Sequence, residues 1–195
     1  SDSTVMRNAV ADPKLGALAC RLMGWDCCRL GQDDVIYKPP GGNPVGFHQD
    51  GTYISDNFVP RRDNCLTLWI ALDDATRENG ALEYAPGSHR WDSQQQTPSD
   101  TVGDSNATAT TTSVSEDVSE SSFHVKEGDD YRKPLRLAAV EACIPVVPGV
   151  VTVDVPAGQL LVHHQSVWHG SGPNLSKTQL RRSLVAHLEI GRAHV

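Results

Sequence analysis

From Asp34 onward the apolar residues come in short runs, "VIYK", "GFHQDGTYI", "CLTLWIALDD", "GALEYAPGS", then "GVVTVDVPAGQLLVHH" and "RRSLVAHLEI", each closed off by Gly, Pro or Asn. Short runs with closely spaced turn signals predict an all-β sandwich or barrel instead of alternating βαβ units. Asn79-Gly80 is a tight-turn signal and predicts a connection between two of these strands. Two stretches read otherwise. Residues 5–23 carry apolar positions at helical spacing with an Asp12-Pro13 start signal, which predicts a short helix lying outside the core; residues 129–140 are amphipathic with a helical period. With 195 residues and 38% hydrophobic content, the chain suffices for a single domain, 1–188, mainly β with a few flanking helices.

Residues 93–122 break this pattern, with fourteen Ser/Thr, five acidic residues and no Lys or Arg. Such a segment buries too little apolar surface to offset the entropy of ordering, which predicts a disordered insertion. It carries −5 of the formal net charge of −7. The acidic balance, with a pI near 5.5, argues against nucleic-acid backbones and anionic membrane surfaces and leaves a small molecule as the expected partner. No run approaches the ~20 apolar residues of a membrane span. Five cysteines (Cys20, Cys27, Cys28, Cys65, Cys143), an odd number without a CxxC pair, predict reduced thiols in an intracellular, cytoplasm-like compartment. We expect a piece of a longer protein: the chain opens Ser1-Asp2-Ser3 without an initiator Met, and "EIGRAHV" at 189–195 reads as a translated sequencing adapter, a non-native tail set apart from the fold.

The chemistry begins at "HQD". In a strand, residues i and i+2 share a face, so His48 and Asp50 would project together while Gln49 points away. Such a pair is either an ordinary ion pair or two arms of a metal site, and a third ligand decides between them. "VWHGSGPNLSKTQLRRSLVAHL" supplies a distant His169, followed by a Gly-rich turn and by Arg181 and Arg182. His48, Asp50 and His169 have the composition of the 2-His-1-carboxylate facial triad, which holds Fe(II) on one face and leaves the other positions open.

In order and spacing, "YKPP…HQD", "LTLWIALDDATRENGALEYAPGSH" and "WHGSGPN…RRSL" resemble the phytanoyl-CoA dioxygenase family of Fe(II)/2-oxoglutarate oxygenases, from about Val35 to His89 and from about Phe123 to Leu188. The resemblance implies a double-stranded β-helix, a cupin-like jelly roll, in agreement with the run of short strands. It implies that His48, Asp50 and His169 ligate iron, and that an Arg about a dozen residues beyond the distal His grips the far carboxylate of 2-oxoglutarate. A guanidinium fork does this better than an ammonium. Arg181 and Arg182 compete for the role. Matching "RRSL" to the family pattern selects Arg181, and strand alternation agrees, since Arg181, Ser183, Val185 and His187 share one face while Arg182, Leu184, Ala186 and Leu188 share another that can pack against helices. The stretch from His169 to Arg181 is one residue longer than the family pattern, and the extra residue is assigned to the turn "LSKTQL". Ser171 matches a position that supports the same carboxylate, Trp69 an aromatic that lines the pocket; Lys38 and Tyr53 are further pocket candidates.

The implied reaction consumes O2 and 2-oxoglutarate, releases succinate and CO2, and hydroxylates a C–H bond of a small or lipid-like molecule, with ascorbate as a candidate reductant. Asp50 argues against halogenation, because related halogenases carry Gly or Ala there. A catalytically silent jelly-roll protein that binds metal or a partner is the alternative, as is a cupin-like metalloprotein indifferent to Arg181 and Arg182. Among the remaining polar residues, His89 is expected to support a turn and one of His163 and His164 to be a core histidine. His187 is expected to face inward if Arg181 does, with ordinary burial as its commoner fate. Asp73, Asp74 and Glu83 are expected in solvent beside Asn79-Gly80. Gly170-Ser171-Gly172 fails the nucleophile-elbow pattern, since His169 takes the place of its first glycine.

Overall fold

The computed structural model describes residues 4–54, 64–91, 125, 128–144 and 149–191, with Tyr53 and Ile54 described by their backbone alone. The predicted insertion 93–122 and the Tyr53 side chain lie outside the described residues. Among the described residues four α-helices, α1 (Thr4–Val10), α2 (Pro13–Met23), α3 (Gly51–Ile54) and α4 (Lys133–Glu141), accompany eight strands. The strands are β1 (Cys28–Lys38), β2 (Val45–His48), β3 (Cys65–Ala71), β4 (Leu82–Tyr84), β5 (Val151–Thr152), β6 (Leu160–His164), β7 (His169–Ser171) and β8 (Arg181–Ile190). They form two four-stranded antiparallel sheets, ordered β1-β8-β3-β6 and β2-β7-β4-β5. This is the predicted jelly roll. Between the sheets Trp69 and Val185 of the first pack against Leu82 and Tyr84 of the second.

The alternation read from β8 decides what each side of the first sheet touches. Leu184, Ala186 and Leu188 turn outward and pack, with Leu66 and Leu68, against Val10 and Ala19 of the N-terminal helices and Trp25. Here the sequence expectation is corrected twice. Residues 5–23 form two helices, because Asp12 takes extended ψ before Pro13 and its side chain caps α2 by accepting from the Lys14 N–H at 2.9 Å. These helices also belong to the core, since the apolar outer face of β3 and β8 has to be covered. β8 runs on through Glu189 and Ile190, so the strand takes in the first two residues of 189–195.

Asn79-Gly80 does turn the chain, but between β3 in one sheet and β4 in the other, so it makes a crossover and closes no hairpin. The buried Asn79 side chain braces it, donating to Asp74 O and accepting from the Thr76 N–H, both at 2.8 Å. Gly80 has φ +84°, and a Cβ there would sit 2.8 Å from both the Gly172 carbonyl oxygen and Lys38 Cδ. Glu83 is also corrected. It is buried on the outer face of β4, where it accepts from Arg132 at 2.7 Å and from the Tyr131 hydroxyl at 3.1 Å, tying the approach to α4 onto the second sheet. Asp73 and Asp74 lie nearer the surface, on Arg182 and the Ala157 N–H. All five cysteines are free thiols, and among the described residues no helix is long and apolar enough to cross a membrane.

Candidate active site

His48 ends β2 and pairs across the second sheet with His169, the first residue of β7. Their rings lie 4.3 Å apart. Glycine at 170 permits this approach, because a Cβ there would come within 2.8 Å of Phe47 Cδ2 and 2.9 Å of Val45 O. Asp50 arrives differently from the strand alternation expected of it. β2 stops at His48, and Asp50 enters from the turn that opens α3, fixed by a 3.0 Å bond from the Gly51 N–H to Gln165 O.

Asp50 Oδ1 lies 3.6 Å from His48 Nε2 and 3.5 Å from His169 Nε2, and the three atoms fall within 4.8 Å of one another. These separations are long for hydrogen bonds. They are close to the ~3 Å between two atoms each about 2.1 Å from one ion at a right angle. Both imidazoles are aimed in the same way: His48 Nδ1 sits 2.8 Å from Gly46 O and His169 Nδ1 3.0 Å from Val167 O. An Nδ1–H donated to each carbonyl turns the Nε2 lone pairs toward Asp50. Burial drives His169 well below the ordinary imidazole range, helped by His163 and His48 and opposed by Asp50, so it is a neutral nitrogen donor at pH 7. Burial alone would raise the Asp50 carboxyl; His169, His163 and His48 together outweigh it and hold the group well below the usual carboxylate range. A neutral imidazole beside an ionised carboxylate in this geometry fits Fe(II).

The far side of Asp50 holds what sequence reasoning missed. Oδ2 accepts from Thr67 Oγ1 at 2.5 Å and sits 3.0 Å from His163 Nε2. His163 Nδ1 is 3.0 Å from the Tyr84 hydroxyl, and Thr67 Oγ1 is 3.0 Å from His187 Nδ1. The sequence leaves open which of His163 and His164 is the core histidine and gives His187 ordinary burial as its commoner fate; the structure buries both His163 and His187 here, beside Thr67 and Tyr84, to which no sequence motif points. The signal for Thr67 was available, since it lies two residues before Trp69 and shares its strand face. His89 is exposed on a turn, and its ring lies 6.0 Å from that of His164.

His48, Asp50, Thr67, His163, His169 and His187 line a cavity of about 670 Å³, whose lining also includes Trp69, Leu82, Ser171, Arg181 and Val185. Arg181 is 1% exposed, whereas Arg182 is solvent-facing and ion-paired with Asp73 at 2.8 Å. The Arg181 guanidinium donates to Gly80 O at 2.9 Å and to Ser183 Oγ at 3.2 Å, and sits 5.4 Å over the Trp69 ring. Its Nε and the Trp69 Nε1 are buried without a hydrogen-bond partner. Among the described residues no carboxylate ion-pairs with it. Ser171 Oγ accepts from Lys38 Nζ at 2.7 Å, and Lys38 also reaches Gly172 O, so Lys38 stands behind the cavity wall and supports Ser171. Lys38 lies directly opposite Arg181 in the β1–β8 ladder. Burial brings it down to about 7, with Arg181 adding to the effect and Glu83 opposing it. A buried, unpaired guanidinium and an orphaned indole N–H on one cavity fit a ligand carboxylate.

A jelly roll with two histidines and a carboxylate converging inside it defines a metal-binding β-barrel class. The chain belongs to the phytanoyl-CoA dioxygenase (PhyH) family, whose model matches residues 1–183. It is 29% identical over 159 residues to a probable alpha-ketoglutarate-dependent hypophosphite dioxygenase of Stutzerimonas stutzeri, covering 82% of this chain and 44% of that one. It is 40% identical over 86 residues to phytanoyl-CoA dioxygenase domain-containing protein 1 of Mus musculus, covering 44% and 28%. The chain thus spans less than half the length of these curated relatives. Among solved structures, EctD from S. alaskensis with 2-oxoglutarate and 5-hydroxyectoine superposes with TM-score 0.64 at 21% identity, over 97% of this chain and 53% of that one. The carbocyclase SnoK from nogalamycin biosynthesis superposes with TM-score 0.62 at 24% identity, over 94% and 57%. Both share the fold.

Proposed function

We propose that the chain is the catalytic jelly roll of an Fe(II)- and 2-oxoglutarate-dependent dioxygenase that hydroxylates a C–H bond of a small or lipid-like molecule. The observation that carries this reading is the pairing of two features on one cavity: the convergent nitrogens and oxygen of His48, Asp50 and His169, and the buried Arg181 with its unpartnered Nε. Bound iron would supply the oxidising chemistry, turning O2 and 2-oxoglutarate into succinate, CO2 and an oxidant for the C–H bond. The protein's residues bind and orient. His48 and His169 present Nε2, Asp50 presents Oδ1, and Arg181 with the Trp69 N–H and Ser171 receives the distal carboxylate of the keto acid. A volume of about 670 Å³ accommodates the cosubstrate and a small substrate together. Leu82, Val185 and Trp69 give that space an apolar wall suited to a hydrocarbon portion and keep water from the reacting carbon.

The test is anaerobic titration of the metal-stripped chain with Fe(II) and then 2-oxoglutarate. A weak visible charge-transfer band, which requires the keto acid to chelate iron, is expected in the wild type and lost in His48→Ala and Arg181→Ala. Under air with ascorbate present, succinate should form, and His169→Ala should abolish it. Succinate formation by a metal-free preparation would refute the proposal.

A further inference from the structure

The two oxygens of Asp50 are divided between two sets of partners. Oδ1 faces the Nε2 atoms of His48 and His169, at 3.6 and 3.5 Å. Oδ2 turns the other way, to Thr67 Oγ1 at 2.5 Å and His163 Nε2 at 3.0 Å. The proton directions around Oδ2 can be assigned. The Tyr84 hydroxyl donates to His163 Nδ1, which leaves the proton on Nε2 to be donated to Oδ2. His187 Nδ1–H donates to Thr67 Oγ1, which frees the Thr67 hydroxyl proton for the same oxygen. Every donor in this array has one acceptor, so the carboxylate is held at one rotation by two independent arms from β3 and β6, both in the first sheet, while the ligand histidines come from the second.

We propose that His163, oriented by Tyr84, is a positioning residue that fixes the rotation of Asp50 so that only Oδ1 is presented between His48 and His169. A carboxylate free to rotate can bring both oxygens to one ion and occupy an extra coordination position. A carboxylate locked through Oδ2 stays monodentate and keeps that position available. His163 itself lies outside the convergent ligand set found among the described residues. This role rests on the reading of His48, Asp50 and His169 as the metal site.

Co(II) titration of the whole chain, followed by equilibrium affinity and by the visible absorption that reports coordination number, tests the assignment. His163→Leu removes the donor and is expected to weaken Co(II) binding about 10- to 100-fold and to change the band shape. Should His163→Leu fail to fold, His163→Gln and His163→Asn decide, because a Gln amide nitrogen reaches the place of Nε2 and an Asn amide nitrogen that of Nδ1. Gln is expected to bind within threefold of wild type and to keep its spectrum, with Asn at least tenfold weaker. Equal affinity and spectra in the Gln and Asn variants, or a folded His163→Leu protein with wild-type binding, would overturn the role of His163 while leaving the metal site standing. A wild-type chain that binds neither Co(II) nor Fe(II) would overturn the metal site and this inference together.

Discussion

Replacing Arg181 with Met should move two observables in opposite directions. Arg181 is 1% exposed, and burial pushes its guanidinium down from the ordinary arginine range to about 10. At 1.36 kcal/mol for each pH unit, this corresponds to about 3 kcal/mol of unfavourable burial in the ligand-free chain. Met has similar reach and no charge, so it removes that burden. It also forfeits the bonds to Gly80 O and Ser183 Oγ, at about 1 kcal/mol each. The net expectation is a stabilisation of about 1 kcal/mol, or a melting temperature higher by about 2–4 °C for a chain of this size. With 2-oxoglutarate the sign reverses. Losing the charge-assisted grip on a buried carboxylate costs about 2–5 kcal/mol, which is about a 30- to 4000-fold rise in Kd. Thermal melts with and without 2-oxoglutarate, run beside the charge-transfer titration, read both. The wild type should gain stability on adding the keto acid, whereas Arg181→Met should start higher and gain nothing. Arg182→Met is the control: its surface pair with Asp73 is solvent-screened and contributes little, and 2-oxoglutarate affinity should not change. The reasoning is refuted if Arg181→Met melts lower without ligand and keeps its 2-oxoglutarate affinity within threefold.

Lys38, down at about 7 from burial and the neighbouring Arg181, makes stability depend on pH. Between pH 7 and about 10 the unfolded chain holds a proton there that the folded chain lacks, so stability rises with pH across that window; urea midpoints at pH 6.5 and 9 should show the rise in wild type and a flatter profile in Lys38→Met. Gly170→Ala drives a Cβ into Phe47 and the Val45 carbonyl, and as β7 is pushed off β2 the His48–His169 spacing opens; Fe(II) affinity by titration should fall at least tenfold. Trp69→Phe keeps the aromatic wall and deletes the orphaned N–H; Kd for 2-oxoglutarate should rise about 3- to 10-fold, the weight of one hydrogen bond, with Fe(II) affinity unchanged.

The class of fold was legible because strand alternation and turn signals are short-range rules, and the principal polar residues of the cavity because the blocks that carry them resemble the family's. Period-two alternation separated Arg181 from Arg182, and the same rule placed Leu184, Ala186 and Leu188 under the helices. Where the structure departs from the sequence pattern, a long-range contact overrides the local rule. Asn79-Gly80 is a good hairpin signal, yet the strands on either side join different sheets, since β3 finds its partners in β6 and β8 from far along the chain. Glu83 has a charged side chain that reads as surface until Arg132, 49 residues on, is brought against it. The His163–Tyr84 contact spans 79 residues, so no local pattern announces it.

The two ends of the cavity are organised on opposite terms, and this contrast bears most directly on what the site is for. At the metal end the polar groups close on one another: Tyr84, His163, Thr67 and His187 form a directed set of donors ending on one oxygen of Asp50. Such an array gains rigidity from low dielectric surroundings because each group in it is satisfied. At the other end, a guanidinium nitrogen and an indole nitrogen are buried with no acceptor, and Arg181 lies opposite the amine of Lys38 in adjacent strands. Left so, this end destabilises the fold by the cost of burying polar groups without partners. A structural core would have no reason to retain it, whereas a site built for a dianion recovers that cost each time the anion binds. On the proposed reading the closed end would hold ligands still for an ion, and the open end would supply the charge that brings a keto acid into register with it.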